Sequence, residues 1–210
     1  LAAFLASFAA AQLIYGPLSD RFGRRVVLFA GLGVFLAGTA GCALATSVEA
    51  LLAARVVQAG GAAAGIVIAR AVIRDVFDGV ELARVMALVT MAFALVPGLT
   101  PLLGGIVQDL AGWRPAFWLT LAVGAGLSAV AAVRLPESNL RLLDRLDLAG
   151  AMAGYARVLG DRVFARYALT VALVFASMSA FFAASPAVFI DRLGVSPTEY
   201  GLYPPLAVTG

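Results

Sequence analysis

Long uncharged stretches of about 20 residues alternate with short charged segments along most of this sequence. The uncharged stretches are residues 1–19, 26–48, 50–69, 85–108, 116–133 and 167–190, with Arg55 the one charge inside them and a further stretch beginning near Glu199. About 20 apolar residues in a helix cross a hydrocarbon layer of roughly 30 Å. Only helices and closed barrels satisfy backbone polar groups in lipid, and these stretches lack polar alternation. The pattern therefore predicts an all-α polytopic membrane protein.

The arginines predict which ends of these helices face the cytoplasm. Twelve of the 15 arginines lie in three alternate connections, residues 20–25, 70–84 and 134–166. The connections on the other side, residues 46–49, 109–115 and 191–198, hold only Arg114 and Arg192. Because cytoplasmic loops carry an excess of basic residues, the three arginine-rich connections are predicted to be cytoplasmic.

Composition excludes several classes of protein. Hydrophobic residues make up 62% of the chain and charged residues 13%, whereas soluble domains are about half apolar and about a quarter charged. The sequence has no His and a single cysteine, Cys42, so a disulfide framework, a His-based metal site and a Ser-His-Asp triad cannot form within it. We expect no catalytic residue, metal or cofactor. The net charge of +3 does not favour nucleic acid binding in so apolar a chain.

The first charged connection carries the most specific motif. Its defining residues are Gly16, Leu18, Asp20, Arg21, Gly23, Arg24 and Arg25. They resemble the cytoplasmic loop signature of the major facilitator superfamily, G-x-L-x-D-R-x-G-R-R, which joins the second and third spans. Gly23 permits a turn with positive φ, and the resemblance implies that Asp20 and the arginines make state-dependent gating contacts. The alternative is a basic cytoplasmic loop without a gating role.

The third stretch contains a charge where charge is costly. An arginine inside a bilayer costs at least about 2.5 kcal/mol, so Arg55 is expected to face a cavity, with Gln58 lining it on the same helical face. The run resembles the superfamily's fourth-span pattern R-x-x-Q-G-x-G-A-A, although Ala59 replaces a common glycine. We expect Arg55 to contact substrate or stabilise an ionised carboxylate. The alternative is that it snorkels to the nearby outer interface.

The fourth stretch contains Pro97 and Pro101, one turn apart, followed by Gly104 and Gly105. The prolines predict a bent helix able to act as a hinge, and the glycines predict close packing of a neighbour. The segment resembles the antiporter signature of the fifth span, although the first glycines of that signature are unmatched. Together with the run 69–75, it resembles the Bcr/CflA group of drug exporters. The alternative is proline-kinked packing alone.

Polar residues in other stretches are candidates for lining a pathway. These are Gln12, Tyr15 and Ser185, with Ser177 and Ser179 as weaker candidates. The aromatic residues Trp113, Phe117 and Trp118 lie where an interfacial belt is expected, so anchoring is their predicted role. The uncharged stretches hold no Asp or Glu. A proton-carrying carboxylate is therefore expected outside this sequence.

The resemblance implies a major facilitator helical bundle truncated at both ends. Residues 1–133 are predicted to form spans two to six of an N-terminal bundle, residues 134–166 a cytoplasmic linker with some amphipathic helix, and residues 167–210 span seven and the start of span eight. The implied function is multidrug efflux by proton antiport with alternating access, in the bacterial inner membrane. The implied partners are small hydrophobic or cationic drug-like molecules, protons and membrane lipids, with the protein functional as a monomer.

Two other functions remain open at the level of sequence. One is export of a metabolite such as a sugar or an amino acid by the same superfamily. The other, of a different class, is a membrane-embedded scaffold or enzyme. An enzyme would require a polar cluster near a membrane interface, and the sequence shows no such cluster built from His, Cys or paired carboxylates.

Overall fold

The computed structural model describes residues 2–140 and 142–202, without the side chains of residues 94, 95 and 97–99. Within that part of the chain, regular structure is entirely helical, and this confirms the all-α prediction. The helices are α1 (Ala2–Phe22), α2 (Arg24–Leu44), α3 (Val48–Val76), α4 (Gly79–Ala111), α5 (Arg114–Arg134), α6 (Leu148–Gly160) and α7 (Arg162–Pro186), followed by a π-helical segment (Ala187–Arg192). Residues 197–202 form a further helical segment, called here the terminal segment.

Five helices of the described chain are long and apolar enough to cross a membrane. They are α1, α2, α3, α5 and α7 with its π-helical extension. The 33-residue helix α4 contains the uncharged stretch 85–108, part of which has undescribed side chains. The predicted stretches therefore correspond to separate helices.

The helices extend further than the uncharged stretches do. A polar turn was predicted over residues 70–84, but α3 continues to Val76 and only Phe77 and Asp78 separate it from α4. Likewise, α7 begins at Arg162 and not at residue 167. Charged side chains outside the membrane are solvated without ending a helix, so a change from apolar to charged residues marks the edge of the membrane and not the end of the helix.

A single residue separates α1 from α2. Gly23 has φ of 95°, as its predicted role requires, and its N–H donates to the carbonyl of Ser19 at 3.1 Å. An L residue would be strained at this φ. The motif of residues 16–25 therefore contains a tight reversal between two helices and not an extended loop.

Glycines bring α2 and α3 into close contact, and the largest buried side chains lie along these two helices. A Cβ at Gly61 would overlap the backbone nitrogen of Phe35 and lie 2.6 Å from the carbonyl oxygen of Gly31. A Cβ at Gly38 would lie 2.6 Å from Cα of Gln58. Small residues let helix backbones approach closely in membranes. The close approach of α2 and α3 therefore depends on Gly38 and Gly61.

The predicted interruption at Ser185 and Pro186 is a change of helix type. Helix α7 ends at Pro186, and the next six residues form the π-helical segment. Pi-helical turns widen the hydrogen-bonded ring and are commonly found at functional sites. The predicted linker also contains the 13-residue helix α6, which contacts α1.

Candidate functional site

The side chain of Arg55 lies where three membrane helices meet. Its Nη1 donates to Oε1 of Gln58, one turn further along α3, at 2.7 Å. Its guanidinium carbon lies 4.5 Å from the centre of the Phe4 ring on α1 and 5.8 Å from that of Phe117 on α5. The residue is half-buried. Helices α1, α3 and α5 thus each place one side chain around a single intramembrane cation.

Gln58 positions this arginine from inside the α2–α3 interface. The residue is only 3% exposed, and its Nε2 donates to Oγ1 of Thr39 on α2 at 2.9 Å. Thr39 in turn donates to the Phe35 carbonyl at 2.7 Å, and Sγ of Cys42 lies 4.0 Å from the amide oxygen of Gln58. Gln58 is buried between the two helices, and its amide connects Arg55 on α3 to Thr39 on α2.

The contacts of Arg55 in the described chain are all with neutral groups. The guanidinium carries one positive charge, and no carboxylate of the described residues lies against it. Aromatic faces and an amide oxygen stabilise such a charge without neutralising it. The arrangement can therefore attract an electron-rich or anionic group that enters beside it.

At the turn between α1 and α2, Arg24 connects the motif to the end of α3. Its Nη1 donates to Oδ1 of Asp20 and Oγ of Ser19, each at 2.5 Å, and its Nε donates to Oδ2 of Asp75 at 3.0 Å. The Arg24 side chain is 13% exposed. Burial alone would lower the pKa of Arg24, but the hydrogen bonds to Asp75 and Asp20 outweigh it and raise that pKa. Asp75, near the end of α3, thus binds an arginine of the motif.

Glu137, from the beginning of the linker, binds the start of α2. Its carboxylate oxygens accept from the backbone N–H groups of Arg24 at 2.8 Å and Arg25 at 3.0 Å. The absence of a side chain at Gly23 leaves room for this carboxylate, because a Cβ there would lie 2.6 Å from Oε2. Partial burial would raise the pKa of Glu137, but backbone donors from Asn139, Arg24, Arg25 and Ser138 lower it overall. A carboxylate at a helix N-terminus also benefits from the helix dipole.

On the opposite side, the end of α4 contacts the terminal segment. Oδ2 of Asp109 accepts from the backbone N–H of Thr198 at 3.0 Å and from its hydroxyl. Gly105 makes the approach possible, because a Cβ there would lie 2.8 Å from the carbonyl carbon of Pro197. Gly201 packs equally closely on the backbone of α4. Asp109 therefore caps the terminal segment through Thr198, which lies 89 residues further along the chain.

The other predicted residues of the motif have smaller parts in this geometry. Arg21 lies 5.6 Å from the ring of Phe22, and Nη2 of Arg25 donates to the Ala132 carbonyl at 2.8 Å. A Cβ at Gly16 would make ordinary contact, 3.7 Å, with the hydroxyl of Tyr155 on α6. The turn therefore contacts both α5 and the linker.

Of the predicted hinge residues, Pro101 lies within a continuous α4 and its carbonyl lies against Gly201. A Cβ at Gly104 would meet no atom of the described chain within 4 Å, so Gly105 alone of the pair permits a close approach. The side chain of Pro97 lies outside the described residues.

The three predicted pathway residues lie on two helices, Gln12 and Tyr15 on α1 and Ser185 on α7. Gln12 is half-buried on α1, and the Tyr15 hydroxyl lies 3.4 Å from the Cβ position of Gly31 on α2. Ser185 is 5% exposed and its hydroxyl is 2.5 Å from that of Tyr200. Ser185 thus connects α7 to the terminal segment.

Sequence reasoning missed several residues of these sites. Glu137 and Asp109 are acids just beyond uncharged stretches, which is a usable signal, but their partners are 112 and 89 residues away. Thr39 follows a glycine within an apolar stretch, and a lone hydroxyl there is a weak sign of an interhelical bond. Phe117 was assigned to interfacial anchoring, yet its ring faces Arg55.

Comparisons with known proteins agree with this architecture. The model of the Major Facilitator Superfamily matches residues 1–210. The chain is 35% identical over 206 residues to the "uncharacterized MFS-type transporter YdgK" of Bacillus subtilis (strain 168), covering 96% of this chain and 51% of that protein. It is 31% identical over 196 residues to "multidrug resistance protein D" of Escherichia coli (strain K12), covering 93% and 49%. It is 34% identical over 204 residues to a "chloramphenicol resistance protein" of Pseudomonas aeruginosa, covering 96% and 48%.

The chain spans about half the length of these relatives. The family match and the five membrane-crossing helices identify a multi-pass protein of the bacterial inner membrane. The chain belongs to the Major Facilitator Superfamily of transporters.

Proposed function

We propose that the transporter containing this chain exports small drug-like molecules by proton antiport with alternating access, as a member of the Bcr/CflA group. In this proposal residues 1–133 supply spans two to six, residues 134–166 the cytoplasmic linker, and residues 167–210 span seven and the start of span eight. The substrates are small hydrophobic or cationic molecules, and the protein acts as a monomer.

The observation that carries the proposal is the intramembrane charge of Arg55 between two aromatic rings. The rings of Phe4 and Phe117 offer an apolar surface for a flat substrate, and the guanidinium offers a donor for an electron-rich substituent. Gln58 fixes the position of the guanidinium, so little side-chain entropy remains to be lost on binding. A site of this kind suits varied aromatic compounds better than one sugar, which requires many directed hydrogen bonds.

The names of two relatives support drug export. They are called a multidrug resistance protein and a chloramphenicol resistance protein. Each is more than 30% identical to this chain, over more than 90% of this chain's length. The resemblance of the fourth stretch to the antiporter signature supports proton coupling.

The contacts at the two membrane surfaces support alternating access. On the cytoplasmic side, Arg24 bonds within the first bundle and Glu137 bonds from the linker. On the opposite side, Asp109 of the first bundle bonds to Thr198 of the second. Rocking of two bundles around a midplane site requires contacts such as these to break in turn. We infer that the Asp109 contact closes the outer side of the pathway.

The test is efflux by the full-length transporter in proteoliposomes. Ethidium and chloramphenicol are loaded, a pH gradient of either sign is imposed, and wild type is compared with Arg55→Ala, Arg55→Lys and Arg84→Ala. Arg84 is an exposed arginine near the start of α4 and serves as the matched control. We expect wild type and Arg84→Ala to show efflux that depends on the pH gradient. We expect the efflux rate of Arg55→Ala to be at least tenfold lower.

Each result decides a different part of the proposal. Efflux that ignores the pH gradient would contradict antiport. Unchanged efflux by Arg55→Ala would contradict the role of Arg55. Release of sugars or amino acids in place of both drugs would favour the metabolite exporter.

A further inference from the structure

Thr39 places a hydroxyl inside the α2–α3 interface, next to the amide that binds Arg55. The residue is completely buried, and Gln58 is only 3% exposed. Gly38 makes the approach possible, because a Cβ there would lie 2.6 Å from Cα of Gln58. Buried polar atoms need hydrogen-bond partners, so the partners of these two side chains determine how each of them is oriented.

The hydrogen bonds of Thr39 and Gln58 run in one direction. The Thr39 hydroxyl donates its proton to the carbonyl of Phe35, one turn earlier on α2, at 2.7 Å. A hydroxyl has a single proton, so its oxygen can only accept on the side of Gln58. Nε2 of Gln58 donates to that oxygen at 2.9 Å. The bond to Phe35 therefore fixes which end of the Gln58 amide faces α2.

The oxygen end of the same amide faces Arg55. Oε1 of Gln58 accepts from Nη1 of Arg55 at 2.7 Å, and the thiol of Cys42 is a second, weak donor to this oxygen at 4.0 Å. A guanidinium can only donate hydrogen bonds. Turning the amide around would place its NH2 group against Arg55 and would require Thr39 to give up the Phe35 carbonyl. One orientation of the amide therefore satisfies all of its neighbours.

We propose that Thr39 is a positioning residue for Arg55, which acts through the orientation of the Gln58 amide and does not touch substrate. It lies on α2, whereas the side chains around Arg55 come from α1, α3 and α5. Its hydroxyl keeps the acceptor end of the amide toward the guanidinium. The consequence for substrate affinity rests on the proposed function, and the consequence for the position of Arg55 does not.

The position of Arg55 is tested on the full-length transporter without substrate, by cryo-electron microscopy of wild type, Thr39→Val and Thr39→Ser. Valine keeps the branched shape but removes the hydroxyl, so the buried Nε2 of Gln58 loses its acceptor. We expect Arg55 to lose its hydrogen bond to Gln58 in Thr39→Val and to keep it in Thr39→Ser. An Arg55–Gln58 bond that is unchanged in Thr39→Val would overturn the proposal.

A Gln58→Glu background separates amide orientation from packing. Both ends of a carboxylate accept hydrogen bonds, so either end can bind Arg55 whatever faces the other end. We expect Thr39→Val to leave Arg55 in place in this background. If Arg55 moved as far as it does in Thr39→Val alone, the shape of the interface would hold the arginine, and the proposal would be wrong.

The dissociation constant for chloramphenicol, measured by calorimetry, tests the consequence for the site. We expect Thr39→Val to raise it at least about fivefold, as for the loss of one hydrogen bond, and Thr39→Ser to stay within about twofold of wild type. Thr90→Val is the matched control, because the Thr90 hydroxyl also donates to the carbonyl four residues earlier but the residue is exposed on α4. In an Arg55→Ala background, Thr39→Val should weaken binding no further.

The remaining outcomes are decisive as well. A lower melting temperature in Thr39→Val with unchanged affinity and an unchanged Arg55 contact would show that Thr39 only supports packing. A loss of affinity that persists in the Arg55→Ala background would overturn the proposal too, since Thr39 would then act by another route. If Arg55→Ala itself leaves affinity unchanged, the proposed function fails, and the position of Arg55 in Thr39→Val still decides this inference.

Discussion

Nε of Arg24 lies 3.0 Å from Oδ2 of Asp75, so the first residue of α2 is joined to the end of α3. The same guanidinium also binds Asp20 at the end of α1. One planar side chain thus connects the ends of three helices. A motif that is contiguous in sequence therefore depends on a carboxylate 51 residues away.

Arg24→Lys should weaken this connection, although the charge is kept. An ammonium cannot reproduce the fixed fork that reaches both carboxylates. We expect the free energy of unfolding to fall by about 1–2 kcal/mol, as for the loss of a hydrogen bond to a charged group. The melting temperature in detergent should then be a few degrees lower. Arg21→Lys, in the same motif, is the control and should change it less, since Arg21 is seen only against the Phe22 ring. Equal melting temperatures for both variants would show that the contact of the Arg24 guanidinium with two carboxylates does not stabilise the protein.

The contribution of Glu137 should depend on pH. The fold lowers the pKa of Glu137, so the ionised form is favoured in the native state. Its stabilisation is complete above the ordinary glutamate range and disappears as the pH falls through the lowered pKa. Melting temperatures of wild type and Glu137→Gln should therefore differ at pH 7 and converge toward pH 3. Glu81 is an exposed acid on α4, and the melting temperature of Glu81→Gln should follow that of wild type at each pH. A constant difference across this range would refute the assignment.

Gly61→Ala should disrupt the α2–α3 interface, whereas Gly65→Ala should not. The added methyl at Gly61 overlaps the backbone of Phe35, which cannot move aside as a flexible side chain could. At Gly65, four residues along the same helix, a Cβ meets no atom of the described chain within 4 Å. We expect Gly61→Ala to cost about 1–3 kcal/mol, measured as thermal stability, with Gly65→Ala neutral or slightly stabilising. The reverse order would contradict the helix contact.

Asp109→Asn should favour opening on the outer side. The variant keeps an acceptor for Thr198 but loses the charge that stabilises a helix N-terminus. Pairs of spin labels at Leu110 and Leu193, both exposed, should move apart in a larger fraction of molecules than in wild type. Asp191→Asn, a nearby exposed acid, is the control. An unchanged distance distribution in Asp109→Asn would show that this contact does not close the pathway.

The apolar stretches predicted the number and order of the helices well, because hydrophobic length is a property of each segment alone. Helix ends were predicted less well, as α3 shows by continuing through Arg74 to Val76. The positive φ of Gly23 was predicted correctly, since a motif confined to a few residues determines its own backbone.

Contacts between distant segments could not be derived from sequence. Nothing near Glu137 in the sequence indicates that it binds the backbone N–H of Arg24. Nothing near Tyr155 indicates that its hydroxyl donates to the carbonyl of Leu13. Gln58 was correctly grouped with Arg55 by helical spacing, yet its burial depends on Gly38 and Thr39 of another helix. Spacing shows which residues share a face, and packing decides what that face meets.

If Arg55 contacts substrate in the full-length transporter, as we propose, then its removal must weaken substrate binding. The dissociation constant for chloramphenicol is measured by calorimetry on the purified full-length transporter, with Arg55→Ala compared with wild type and with Arg84→Ala. Loss of a charged hydrogen bond predicts at least tenfold weaker binding, about 1.4 kcal/mol, in Arg55→Ala alone. Equal affinity in all three proteins, each with an unchanged melting temperature, would contradict the claim.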